Sequence, residues 1–208
     1  MIIDAVDERI PLPVGEIVLT RPRDPEALLT EEGFEHEEFL PYWAELWSSS
    51  VALAHDVARR SLRGARVLEL GCGLGLPSIA AVLAGGRVLA TDWSADGVRA
   101  ATENAQRNGV ELETAVVDWA RPKPIVERAP WRFVIASDVL YERRNVAQLL
   151  DLLPLLVAET GEVLIADPQR PLAQLFLEGA EADWHVRTTG SSRSERARIH
   201  HLRRRLDD

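Results

Sequence analysis

The stretch R-V-L-E-L-G-C-G-L-G-L-P-S at 66–78 limits what this chain can fold into more than any other. A short apolar run at 67–70 breaks into Gly71, Gly73 and Gly75, and a helix-forming segment follows at once from Pro77. Strand, tight turn and helix N-terminus in that order bring backbone N–H groups up to a ligand with no Cβ between them. A dinucleotide fingerprint needs its third glycine where Leu76 stands, and no Gly-Lys-Ser/Thr follows to make a P-loop. Glu69 stands beside the turn, where a carboxylate repels a pyrophosphate and suits an ammonium or a sulfonium. The stretch therefore predicts a nucleoside ligand that carries positive charge.

Beyond it the chain alternates. Apolar runs predict strands at 67–70, 88–91, 112–117, 133–137 and 162–166, and amphipathic spacing predicts helices at 76–84, 95–108, 145–158 and 172–182. Gly85-Gly86, Gly109 and Gly161 stand at the helix ends, and Pro122, Pro124 and Pro130 mark a gap before the fourth strand. Such alternation specifies a parallel sheet covered on both faces. The tail, 184–188 and 197–203 around a polar G-S-S-R-S-E, reads as an antiparallel hairpin. The fold class is α/β: a three-layer α/β/α Rossmann-like sandwich, its mostly parallel seven-stranded sheet ending in an antiparallel β-hairpin. Upstream, 9–22 reads as a small N-terminal β arm turning at Pro13-Val14-Gly15, and 24–39 as a solvated acidic linker. A further helix runs from Ser49 or Ser50 to residue 60, with serine as its N-cap. The division is an arm of hairpin and linker at 1–39 and one domain at 40–208.

Bulk properties exclude several classes. No apolar run approaches the roughly 20 residues that span a bilayer, and the acidic N-terminus is unlike a signal peptide, so a cytoplasmic protein is expected. The single cysteine, Cys72, rules out an internal disulfide framework and a cysteine-based zinc site. The adjacent His200 and His201 point to opposite faces of a strand, so no metal is expected. A formal net charge of −9 disfavours nucleic acid and favours a basic protein partner.

Two more acidic positions follow strands. Thr91-Asp92-Trp93 ends the second strand, where a carboxylate overhangs the crevice and can accept ribose hydroxyls. Val117-Asp118-Trp119 ends the third, where an acid can meet an adenine amino group and a tryptophan can cover the base. With E-L-G-C-G-L-G, these motifs resemble the class I (seven-β-strand) S-adenosylmethionine-dependent methyltransferases over about 40–205. The resemblance implies S-adenosylmethionine as cofactor and S-adenosylhomocysteine as product. It puts Glu69, Gly71, Cys72, Gly73 and Gly75 at the methionine part, Asp92 and Trp93 at the ribose, Asp118 and Trp119 at the adenine, and Trp47 and Ser137 in the same shell.

S-D-V-L-Y-E at 137–142 follows the fourth strand without the Pro-Pro of base-methylating enzymes. It resembles the Asp-x-x-Tyr of the protein lysine methyltransferases that act on non-histone proteins. P-Y-W-A-E-L-W at 41–47 is similar to the segment before the cofactor strand in that branch, and D-P-Q-R-P at 167–171 to the Asp-Pro-x-Arg of the electron-transfer-flavoprotein β-subunit lysine methyltransferases. That group usually has Pro-Gly after the tryptophan, where this chain has Ser48-Ser49-Ser50. The resemblance implies N-methylation of a protein lysine. Asp138 would orient the acceptor, Tyr141 would line it, and Trp43, Glu142, Asp167 and Arg170 would complete the substrate wall. Rim carboxylates would bind the incoming ammonium. A small-molecule amine or N-heterocycle methyltransferase and a non-catalytic S-adenosylmethionine-binding module are the alternatives.

Overall fold

In a computed structural model, which describes residues 4–28, 41–191 and 196–205, the chain opens with an antiparallel hairpin, β1 (Ala5–Leu12) and β2 (Gly15–Pro22). Two 3-10 turns, Pro25–Leu28 and Tyr42–Ala44, precede α1 (Ser48–Ala58). There follow β3 (Arg66–Leu70), α2 (Leu76–Leu83), β4 (Arg87–Asp92), α3 (Ala95–Arg107), β5 (Glu113–Val116) and a single-turn α4 (Lys123–Val126). The chain then runs through β6 (Trp131–Ser137), α5 (Arg143–Leu156), β7 (Val157–Asp167), α6 (Pro171–Ala180), β8 (Trp184–Gly190) and β9 (Arg198–Arg204). The main sheet has seven strands in the order β5-β4-β3-β6-β7-β9-β8. Strands β3 to β7 are parallel, and β9 runs antiparallel to both β7 and β8.

The period-two alternation of β3 divides the core. Leu68 and Leu70 face α5 and α6 among Leu149, Leu153 and Phe176, while Val67 faces α1 and α2 among Leu53, Val57 and Ile79. The expected three layers are therefore present. Successive crossovers run from β3 outward to β5 and then return to β6 on the other side of β3. That reversal opens a crevice at the carboxyl ends of β3 and β6, the place where open α/β sheets bind ligands.

The N-terminal hairpin packs into this body. Ile10, Leu12, Ile17 and Leu19 are buried in the same cluster as α1 and α2. Asn104 on α3 and Asn108, the residue that caps its C-terminus one turn later, act as a surrogate strand for β2. Val18 N–H donates to Asn108 Oδ1 at 2.9 Å and Thr20 N–H to Asn104 Oδ1 at 2.8 Å, and each amide nitrogen returns a bond to the same residue's carbonyl. The edge of the hairpin is thereby closed. The acidic run at 29–39 and part of the polar turn before β9 lie outside the described residues.

Four boundaries differ from expectation. Helix α1 starts at Ser48 on Trp47, whose side chain makes no capping bond, while Ser49 and Ser50 are turned inward and buried. Gly161 ends no helix: α5 stops at Leu156, and the chain passes straight into β7. There the pairing steps from Trp131↔Val157 to Phe133↔Glu162 across a bulge. A Cβ on Gly161 would stand 2.6 Å from Val157 Cγ1, so close packing explains the glycine. The proline-rich gap holds α4, with Pro122 as its cap. Strand β5 is shorter than the apolar run that announced it. Among the described residues, no helix is long and apolar enough to cross a membrane.

Candidate active site

The glycine turn is stitched to the end of β4. Gly71 and Cys72 both donate N–H to Thr91 O at 2.9 Å, and Gly73 N–H donates to Asp92 Oδ2 at 2.9 Å. Gly73 has φ +48, and a Cβ there would meet Trp43 O at 3.2 Å, so the turn and the Tyr42–Ala44 segment lock against each other. Gly75 is left-handed with φ +83 and caps α2 against Ala101; it does not reach the cavity.

Asp92 takes a second amide bond from Ser94 N–H at 2.9 Å on Oδ1. Burial raises its pKa, while the amides of Ser94, Gly73 and Trp93 counter that effect. Each oxygen keeps a further lone pair for a ribose hydroxyl. Glu69 behaves differently. It lies on the Val67 face of β3, is fully buried beneath the turn and does not line the cavity. Ser78 Oγ–H donates to Oε2, Oε1 has no partner, and burial pushes the carboxyl pKa up to about 8. A carboxyl protonated at neutral pH offers no anion to a sulfonium, so the charge expected of Glu69 from the sequence is not what it contributes. Cys72 does reach the cavity, but burial drives its thiol pKa well up, so it is no nucleophile.

The crevice is a cavity of about 350 Å³. At one end stand Asp92, Trp93, Val116, Asp118 and Trp119. At the other stand Tyr42, Trp47, Asp138, Tyr141, Glu142 and Asn145, with Ser137 and the turn between. Trp43 also lines it. The aromatic side chains form one cluster: Tyr42 lies 6.4 Å from Trp47 and 5.5 Å from Tyr141 between ring centroids, and Trp47 Nε1–H donates to Tyr42 O at 3.0 Å. Burial raises the Tyr141 pKa, with an Asn145 hydrogen bond opposing it.

Asp138 sits at φ +57, outside the conformations that non-glycine residues prefer, and its N–H is tied to Ala166 O at 2.9 Å. Its carboxylate is already engaged. Arg170 Nε–H donates to Oδ1 at 2.5 Å, and Ser49 Oγ lies 3.4 Å from Oδ2. The segment D-P-Q-R delivers that arginine: Gln169 is left-handed at φ +67, and Arg170 N–H donates to Asp167 Oδ1 at 2.7 Å. Asp167 is fully buried with Oδ2 unpartnered, and burial raises its pKa, aided by the charge of Asp138. Neither Asp167 nor Arg170 lines the cavity. The expectation that Asp138 and Asp167 stand open for an incoming ammonium therefore needs correction, since Arg170 holds the first and burial withdraws the second.

The donor set fits S-adenosylmethionine. Glu45, Asp92, Asp118, Asp138 and Glu142 line the cavity against Arg144, which is itself paired with Glu142 at 3.2 Å. That balance repels phosphate and accepts a cationic nucleoside. Asp92 would hold the ribose, Asp118 with Trp93 and Trp119 the adenine, and the glycine turn the methionine part. Sequence reasoning left out Val116, Ser49, Ser50, Tyr42 and Asn145 from the site. Tyr42 was signalled by its place in the aromatic cluster and the serines by their break from Pro-Gly; nothing local marks Val116 or Asn145.

Comparison with known proteins agrees with this geometry. A family model described as lysine methyltransferase matches residues 41–182. The electron transfer flavoprotein beta subunit lysine methyltransferase of Xenopus laevis is 33% identical over 73% of this chain and 68% of its own. The histone-arginine methyltransferase METTL23 of Mus musculus is 27% identical over 85% of this chain and 69% of its own. Among solved structures, the ribosomal protein L11 methylase of Lactobacillus delbrueckii subsp. bulgaricus superposes with a TM-score of 0.62 at 20% identity, covering 78% of this chain and 81% of that one. The putative methyltransferase SMU.776, solved with S-adenosylhomocysteine, gives 0.59 at 12% identity over 76% of this chain and 50% of its own. The glycine turn, the two strand-end aspartates and these matches lead to one conclusion: the chain belongs to the lysine methyltransferase family of class I S-adenosylmethionine-dependent methyltransferases.

Proposed function

We propose that this methyltransferase N-methylates a lysine side chain of a protein. The observation that carries the reading is the aromatic mouth of Tyr42, Trp47 and Tyr141 beside Asp138, at the opposite end of the cavity from Asp118 and Trp119. The similarity to an electron transfer flavoprotein beta subunit lysine methyltransferase supports it.

When bound, S-adenosylmethionine supplies an electrophilic methyl group on a sulfonium, to be taken in line by a nitrogen lone pair. A free lysine has a pKa of roughly 10.4, so the acceptor must lose a proton to solvent before it can react. The three rings admit the ammonium by cation–π attraction and strip water from it, which favours the neutral amine. Asp138 Oδ2, held only by the long Ser49 contact, keeps capacity to accept an amine N–H and so aim the lone pair. Tyr141 walls the amine on the other side. No strong general base is required.

Purified protein incubated with methyl-labelled cofactor and a cell lysate tests the reading. Label on lysine of a protein band is the expected result; label confined to small molecules, or to arginine or histidine, refutes it. Asp138→Ala should abolish that transfer and leave S-adenosylhomocysteine affinity within about twofold, since the loss belongs to the acceptor side.

A further inference from the structure

The Arg170–Asp138 pair has a use beyond packing. The Asp138 side chain is 4% exposed and that of Arg170 32%, and the guanidinium stands 5.7 Å from the Trp47 ring centroid and 5.9 Å from that of Tyr141. A cation is thus built into the wall behind the acceptor mouth, against the Asp138 carboxylate that lines it. We propose that Arg170 is a positioning residue that cancels the charge of Asp138, so that the acceptor nitrogen is held as a neutral amine rather than as an ammonium. This rests on the lysine reading above.

An unpaired carboxylate within hydrogen-bond reach of a lysine stabilises the ammonium, which binds well and cannot attack. A carboxylate already matched by a guanidinium still accepts an N–H but no longer favours the proton. The amine then has the Arg170 charge behind Asp138 on one side and the cofactor's positive charge on the other, and both depress its proton affinity. The other charges around the pair do not undo this. Asp167, from β7, gives one oxygen to the Arg170 N–H and lies opposite Arg198 of β9 in register. Glu142 is paired with Arg144, and burial raises the Tyr141 pKa, so that hydroxyl adds no charge in the neutral range. Asp92 belongs to the cofactor end and holds two backbone amides. The left-handed Asp138 and Gln169 are the cost of bringing the two side chains together from separate strand ends.

The test is the single-turnover rate against pH at saturating acceptor, which reports groups in the bound complex. The probe is the lysine-labelled protein recovered from the lysate. Arg170→Gln should move the acidic limb up by about one pH unit, the low end of the range for a charge within a few ångströms because the arginine is partly exposed. At neutral pH that is roughly a tenfold slower transfer, with S-adenosylhomocysteine affinity by calorimetry unchanged. Arg170→Lys should leave the limb in place. Asp138→Asn, which frees the guanidinium's charge, should move the limb down in whatever activity remains. If Arg170→Gln does not fold, Arg170→Met, which keeps the side-chain length and loses the charge, takes its place, with the same upward shift expected. An unmoved limb, with only a lowered plateau, overturns the proposal and leaves Arg170 as packing. Failure of the unaltered protein to label lysine at any pH overturns the lysine reading itself, a separately visible result.

Discussion

Glu69 makes stability fall with pH, and the effect can be isolated. The carboxyl is fully buried under the glycine turn with Ser78 as its bonded partner and Oε1 unpaired. Burial raises its pKa from 4.5 to about 8; the Ser78 bonds oppose the shift and the charge of Asp92 adds to it. Between those two values the folded chain holds one proton that the unfolded chain has released. Stability contributed by the neutral carboxyl is therefore complete below the unfolded value and declines by roughly 1.4 kcal/mol per pH unit until the folded value is passed. From pH 6 to 8 the loss is about 2.3 kcal/mol, allowing for half-titration at the upper limit. Glu69→Gln keeps the shape and cannot ionise. Urea unfolding followed by tryptophan fluorescence at pH 6, 7 and 8, without added cofactor, gives the two stability curves. Their difference cancels the titrating groups not coupled to Glu69, including His200, whose pKa burial lowers to about 4. The stability of Glu69→Gln relative to the unaltered protein should rise by that amount across the window. A difference independent of pH would mean that the carboxyl titrates alike folded and unfolded, and would refute the reasoning.

Two further substitutions probe the cofactor end. Asp92→Ala removes the acceptor for Gly73 and Ser94 together with the ribose contact, and should weaken S-adenosylhomocysteine binding on the order of 100-fold by calorimetry; unchanged affinity would void the assignment. Asn104→Leu severs the hairpin from the turn, because the Asn104 amide also donates to Leu74 O at 3.0 Å. It should cost about 1–3 kcal/mol in urea unfolding and loosen cofactor binding several-fold, whereas full affinity would show the hairpin to be mechanically separate.

Much of the cofactor end was legible because its grammar is local. An apolar run, a G-x-G-x-G turn and an acid at the end of each following strand are short-range patterns, and a parallel sheet places all such strand ends on one edge. The hairpins at both termini were legible for the same reason, since alternation and turn residues suffice. Boundaries failed where packing outranked propensity. Ser49 reads as a cap, yet its hydroxyl is turned to Asp138, 89 residues away. Gly161 reads as a helix stop, yet it relieves crowding in a bulge.

By itself the sequence determined the α/β alternation, the glycine turn with the strand-end acids Asp92 and Asp118 that line one cavity with it, and the resemblance to protein lysine methyltransferases carried by D-V-L-Y and D-P-Q-R. Tertiary structure alone decided the ionic state of the site. Whether a carboxyl is an anion depends on its solvent and its counter-charge, and neither is a property of neighbours in the chain. Strand alternation turned Glu69 into a closed layer and burial raised its pKa, while two left-handed turns brought Arg170 onto Asp138 from 32 residues away and paired that carboxylate. Two carboxyl side chains thus meet opposite electrostatic surroundings, Glu69 closed in beneath the turn and Asp138 matched by a guanidinium.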